Sequence, residues 1–180
     1  MACAVAALTG CSRGEGPAPT PAATVATSAP APVVTDRPRP TIPAAAKAPT
    51  PEGAEAFARY AMSVYGSVYQ TGDTWPFSEL GSPDCTFCAN VRENVAAFRA
   101  KGHRQVGGDV TVREVVPADN PPPGGAILNV VVDTTPAQEL DSDGRVVKAF
   151  DAETSKSLLV ALTRYGDEWR IYDIGGEKKK

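Results

Sequence analysis

The apolar residues of this chain change period after Gly102. Before it they recur every three or four positions, and after it they alternate. A chain that gathers its helices first and its strands second builds an α+β domain, not a parallel sheet of alternating strand and helix.

The stretch "TPEGAEAFARYAMSVYGSVYQTG" opens like a helix. Thr50 can cap it, Pro51 suits the first helical position, and Glu52 and Glu55 favour the positive end of the dipole. Ala54, Phe57, Ala58, Ala61, Tyr65, Val68 and Tyr69 form one apolar stripe, and Gly72 with Asp73 ends it. "DTWPFSELG" predicts a short second helix that stops at Gly81. A third helix is expected from near Asp84 to Lys101, with Phe87, Val91, Val95 and Phe98 buried and Gly102 as its C-terminal cap.

Beyond Gly102, Val110 and Val112 alternate with Thr111 and Arg113. "AILNVVVDTT" reads as a central strand, Asp143 with Gly144 as a hairpin turn, and "SLLVALTRYGDEWRIYDI" as two strands joined around Gly166 and Asp167. The expectation is three helices, then about four to six antiparallel strands, in one domain at 50–177. The basic tail at 178–180 is expected to fray.

Residues 12–49 cannot form such a domain. They hold nine of the 17 prolines and ten alanines, with no aromatic residue. Too little apolar surface is available there to offset the entropy of ordering, so a disordered Pro/Ala/Thr-rich tether is expected over 11–49. Extended as polyproline II, it reaches on the order of 100 Å. Its Ser and Thr residues suit O-glycosylation by composition. The charge is also uneven, at +2 over residues 12–49 and −5 over 50–180. An acidic domain without a basic stripe argues against nucleic acid as a partner.

Leu8, Thr9, Gly10 and Cys11 resemble a bacterial lipobox: a branched apolar residue, two small residues, then a cysteine. The resemblance implies a signal peptide at 1–10, cleavage after Gly10, diacylglycerol on Cys11, and anchoring at the extracytoplasmic face of the membrane. The apolar run before it is short and lacks Lys or Arg, and a start codon upstream of Met1 would account for both.

Helices followed by a meandering sheet that ends in "YGDEWRIYDI" resemble the nuclear-transport-factor-2-like cone fold, in which helices pack into a strongly curved antiparallel sheet. The carrying residues are Gly166, Trp169, Ile171 and Asp173. More narrowly, the lipobox, the tether, "TPEGAEAFARY", "TGD" and "SPDCTFC" resemble an uncharacterised lipoprotein family of high-GC Gram-positive bacteria. That resemblance spans most of the chain and implies no particular activity.

Cys85 and Cys88 form a C-x-x-C pair. Zinc would need further ligands, and the chain offers one histidine, His103, and no second pair. A thioredoxin-type centre would place Cys85 at a helix N-terminus, but after a strand in a βαβ unit, which this order lacks. The oxidising compartment implied by the lipobox leaves a structural Cys85–Cys88 disulfide as the favoured reading. His103 follows a predicted helix C-terminus, where a cation is favourable. No cofactor is expected.

Within a cone, Asp133 and Asp173 could be carboxylates of raised pKa, as isomerases of this architecture use, or solvated groups at strand ends. Asp173 is expected on the strand face of Trp169 and Ile171. Tyr60, Tyr65, Tyr69 and Trp75 could line a ligand pocket with Trp169, or be core with rim hydroxyls. The expected role is a non-catalytic binding module for an envelope protein or small apolar ligand. An isomerase-like pocket is the alternative, followed by thiol–disulfide exchange.

Overall fold

The structure, a computed structural model, describes residues 40–176. The expectations for the 1–10 leader, Cys11, the tether as far as residue 39 and the 178–180 tail lie outside the described residues. Three α-helices come first: α1 (Pro51–Thr71), α2 (Trp75–Glu79) and α3 (Thr86–Ala100). Seven strands follow: β1 (Arg104–Gly107), β2 (Val110–Pro117), β3 (Gly125–Thr134), β4 (Ala137–Leu140), β5 (Val146–Phe150), β6 (Glu153–Tyr165) and β7 (Glu168–Gly176).

The helix ends follow local chemistry. The Thr50 Oγ1 accepts from the Gly53 N–H at 3.2 Å, and Pro51 stands where no donor is needed. Gly72 closes α1 in the left-handed conformation at φ 76°, its N–H donating to the Val68 carbonyl at 2.8 Å. The stripe residues Ala54, Phe57, Ala58, Ala61 and Val68 are buried as expected. Tyr60, Met62 and Val64 are buried too, because α1 is covered on more than one side.

The sheet explains why seven strands replace the expected four to six. The order is β1-β4-β5 in one sheet and β2-β3-β6-β7 in the other, all antiparallel. β1 leads straight into β2, β3 into β4 and β5 into β6, so the two sheets are halves of one curved ribbon broken at a common bend. Gly107 and Gly108, at φ 77° and 83°, turn the first of these strands. Pro136, which has no N–H for a ladder, sits in the second. Register shifts at Val112/Glu114, Val132/Thr134 and Ala161/Leu162 bend the ribbon further.

α1 lies in the curve, and its Gly66 meets the bend. A Cβ on Gly66 would stand 2.5 Å from the Gly108 carbonyl oxygen. The inner face supplies Leu128, Val130, Val132, Val160, Leu162 and Ile171, all at most 2% exposed, against Phe57, Val68, Phe77, Leu80 and Val95 from the helical side. Each such side chain contributes roughly 1.5–3 kcal/mol on burial. The expected class, helices packed on a curved antiparallel sheet, is the class observed.

The boundary at residue 50 needs correction. Residues 40–49, assigned above to the tether, pack on the domain. Ala44–Lys47 form a 3-10 turn with Ala46 1% exposed. The Tyr60 hydroxyl donates to the Pro40 carbonyl at 2.7 Å, and the Trp169 Nε1–H to the Ala48 carbonyl at 2.8 Å. The fit depends on Gly53, where a Cβ would fall 2.0 Å from the Ala48 oxygen. Composition averaged over a long window hides a short run of small residues that suits such an approach.

Candidate functional site

A cleft of about 510 Å³ opens between the start of α1, the β2–β3 loop and the β6–β7 hairpin. Pro49, Pro51, Pro117, Pro121, Ile127 and Trp169 give it a largely apolar lining. Among the described residues, Arg164 is its one charged lining residue. β6 and β7 place Arg164 directly opposite Trp169, with the guanidinium carbon 5.1 Å from the indole centroid. This is a cation–π contact made against a buried ring. The Arg164 backbone N–H donates to the Gly124 carbonyl at 3.1 Å, which ties the hairpin to the β2–β3 loop. Its Nη1 is buried without a hydrogen-bond partner among the described residues. An unmet guanidinium donor in an apolar setting favours an acceptor, above all a carboxylate.

Of the expected pocket residues, only Trp169 lines this cleft. Trp75 joins Trp169 in a smaller cleft of about 160 Å³ with Ile42 and Lys47. Tyr60 is buried, and its hydroxyl is committed to Pro40. Tyr65 and Tyr69 belong to an aromatic cluster between the helices. Tyr65 packs its ring within 5.7–5.9 Å of Tyr69, Phe77 and Phe87, and Tyr69 meets Phe98 at 6.3 Å. Burial pushes the Tyr65 hydroxyl far above its ordinary pKa, with Tyr69 adding to the shift. These tyrosines pack rather than converge on a ligand.

The carboxylates are held by protein partners. Asp133 sits at the Val132/Thr134 irregularity, where it accepts from the Ser155 N–H at 2.9 Å and from the Arg113 Nε–H at 2.6 Å. The Ser155 hydrogen bond first, then that of Arg113, holds its pKa below the usual carboxylate range. An acid of raised pKa would need the opposite shift. Asp173 is not on the face of Trp169 and Ile171. The register shift at Ala161/Leu162 leaves Tyr172 as an extra residue in β7, so Ile174 turns inward and Asp173 outward. There its Oδ1 accepts from the Phe87 N–H at 3.1 Å, in the first turn of α3.

Cys85 and Cys88 are joined in a disulfide at the N-terminus of α3, and both are buried. The Cys88 Sγ fills the space where Gly81 has no side chain; a Cβ there would lie 2.7 Å from it. The bond therefore locks the α2–α3 loop against α3. His103 pairs through Nδ1 with Glu139 at 2.5 Å and packs on Phe98. Among the described residues, no group of three or more His, Cys, Asp or Glu side chains is placed to hold a metal ion.

Arg164 and the proline rim were missed in the sequence. Arg164 could have been found there: a turn at Gly166 and Asp167 pairs Tyr165 with Glu168, and so Arg164 with Trp169. The contribution of Pro49 and Pro51 could not, since it depends on the docking of residues 40–49.

The fold is shared with the intermembrane space region of the chloroplast protein ARC6, at TM-score 0.54 and 10% identity over 71% of this chain and 95% of that one. The β subunit of a putative aromatic-ring-hydroxylating dioxygenase from Novosphingobium aromaticivorans aligns at TM-score 0.48 and 11% identity, over 69% of this chain and 88% of that one. An uncharacterised protein with a cystatin-like fold from Caulobacter vibrioides aligns at TM-score 0.42 and 16% identity, over 68% and 85%. No curated protein sequence matches the chain. Residues 25–174 match the model of DUF6318, a family of unknown function. The chain belongs to that family.

Proposed function

We propose that this protein is a lipid-anchored binding module of the extracytoplasmic membrane face. Cys11 carries the lipid, the Pro-rich segment after it spaces the domain from the membrane, and the cleft beside Trp169 takes a small amphipathic carboxylic acid. The observation that carries the ligand class is Arg164, with its unmatched buried Nη1 beside an apolar cleft. The cleft volume lies within the usual range for small-molecule sites. Binding, not catalysis, is the better fit because Asp133 and Asp173 are both engaged by protein partners outside this cleft. The paired state of Cys85 and Cys88 suits an oxidising compartment.

Trp169 is a built-in reporter. In a Trp75→Phe background, decanoate should change its fluorescence saturably, and Arg164→Met should weaken decanoate by at least roughly tenfold while leaving decanol unaffected. No saturable response to decanoate, or equal responses in both backgrounds, would refute the ligand class. For the anchor, a fatty-acid probe should label the native chain but not Cys11→Ser; label surviving in that variant would rule out acylation at Cys11.

A further inference from the structure

A second cleft, of about 430 Å³, shares no lining residue with the first among the described residues. Ser78, Gly81, Ser82, Pro83, Arg92, Tyr165 and Arg170 surround it, and none of them is acidic. The loop after α2 forms one side and is fixed there by backbone pairing. The Ser82 N–H donates to the Ile171 carbonyl at 2.8 Å, and the Ile171 N–H to the Leu80 carbonyl at 2.7 Å. This stitching pairs Gly81 with Ile171 in parallel, and the residues that follow Gly81 and precede Ile171, Ser82 and Arg170, both line the cleft. The Cys85 N–H, donating to the Ser82 carbonyl at 3.1 Å, and the Cys88 Sγ behind Gly81 hold the same loop from the α3 side.

The polar groups are unevenly satisfied. Arg92 donates through Nη1 to the Phe77 carbonyl at 2.8 Å, and no carboxylate among the described residues lies within ion-pair distance of it. Arg170 pairs through Nη2 with Glu168 at 2.7 Å, a partner whose side chain is 66% exposed. Ser82 is 9% exposed, and its Oγ is buried without a hydrogen-bond partner among the described residues. Two guanidinium groups and an unsatisfied hydroxyl around one cleft form a set that matches an oxyanion.

We propose that this cleft binds a tetrahedral oxyanion, the phosphoryl or sulfuryl group of a small polar monoester. Arg92 and Arg170 grip the anion, and Ser82 adds a hydroxyl donor. A bare anion would leave most of the space to water, since one water occupies about 30 Å³ in the liquid. The ester's remaining atoms fill the rest, beside Ser78 and Tyr165. The Cys85–Cys88 bond then acts as a positioning device, because it fixes the loop that carries Ser82.

The test is a titration of the oxidised protein, followed by backbone amide NMR at constant ionic strength. The probes are inorganic phosphate, sulfate, glucose 6-phosphate and glucose 6-sulfate, with chloride as control. Shifts should map to residues 78–82, 92, 165 and 170, and the monoesters should bind at least roughly tenfold tighter than the free ions. Phosphate and sulfate esters binding equally would assign recognition to charge and shape, and a preference for either would name the source. Arg170→Gln and Ser82→Ala should each weaken binding without loss of the native spectrum, while Arg170→Lys should recover part of it. Arg92→Gln tests the third group separately, since its bond to Phe77 also serves the fold. Reduction of the disulfide should lower affinity. Shifts equal to those of chloride, or unchanged affinity in both Arg170→Gln and Ser82→Ala, would overturn the proposal.

Discussion

Trp169 and Ala48 stand 121 positions apart in sequence, and the indole Nε1–H of one donates to the carbonyl oxygen of the other over 2.8 Å. This bond joins the segment before α1 to the last strand. It also fixes the plane of the ring that Arg164 covers, so the fold and the apolar cleft share one anchor.

Removing residues 40–49 should therefore destabilise the domain. A chain beginning at Thr50 loses the hydrogen bonds of Trp169 and Tyr60, each worth about 1 kcal/mol, and the cover that Ala46 gives the core. Urea unfolding should show a loss of roughly 2–4 kcal/mol against a chain beginning at Pro40. Equal midpoints would mean that the segment does not contribute.

Gly66→Ala should also destabilise, although alanine is the better helix former. The new methyl would meet the backbone oxygen of Gly108, which cannot turn aside as a side chain could. A loss of about 1–3 kcal/mol in chemical unfolding is expected. A more stable variant would show that α1 does not press on the bend.

Reducing the disulfide should destabilise the domain moderately without unfolding it. A closed loop of four residues, Cys85 to Cys88, gives about 2 kcal/mol by chain entropy. Unfolding free energies with and without reductant should differ by that much, while amide exchange should rise most at residues 80–90. A collapse of the fold on reduction would contradict this.

Asp133 gives a pH dependence of known sign. Its folded pKa lies below the ordinary value of about 3.9, through the Ser155 N–H and then Arg113. A depressed carboxylate stabilises above its unfolded pKa, and that stability is lost as pH falls through the folded pKa. Asp133→Asn should thus lower the melting temperature at pH 7. The difference from wild type should shrink as pH drops below about 4. A gap that is constant with pH would assign the effect to geometry rather than charge.

Much of the architecture is legible in the sequence. Thr50, Pro51 and Gly72 mark α1 because caps act through bonds a few residues long. Gly144 and Gly166 mark hairpins because both occupy positive φ. Asp173 was misplaced for the complementary reason. Alternation assumes an unbroken strand, and one extra residue at Tyr172 reverses the face of everything after it. Nothing local to "WRIYDI" announces that bulge, which answers to the curvature of the neighbouring strand.

The sequence by itself determined the order of helices and strands, the turns and the proximity of the two cysteines. These depend on periodicity, caps and short spacing, all interactions over a few residues. Tertiary structure decided the docking of residues 40–49, the bend at Gly107 and Gly108, and the meeting of Arg164 with Pro49. It also decided the gathering of Ser82, Arg92 and Arg170 around one cleft. Those contacts join segments distant along the chain, and their energy comes from close packing and desolvation, which exist only once the curved sheet has closed on α1.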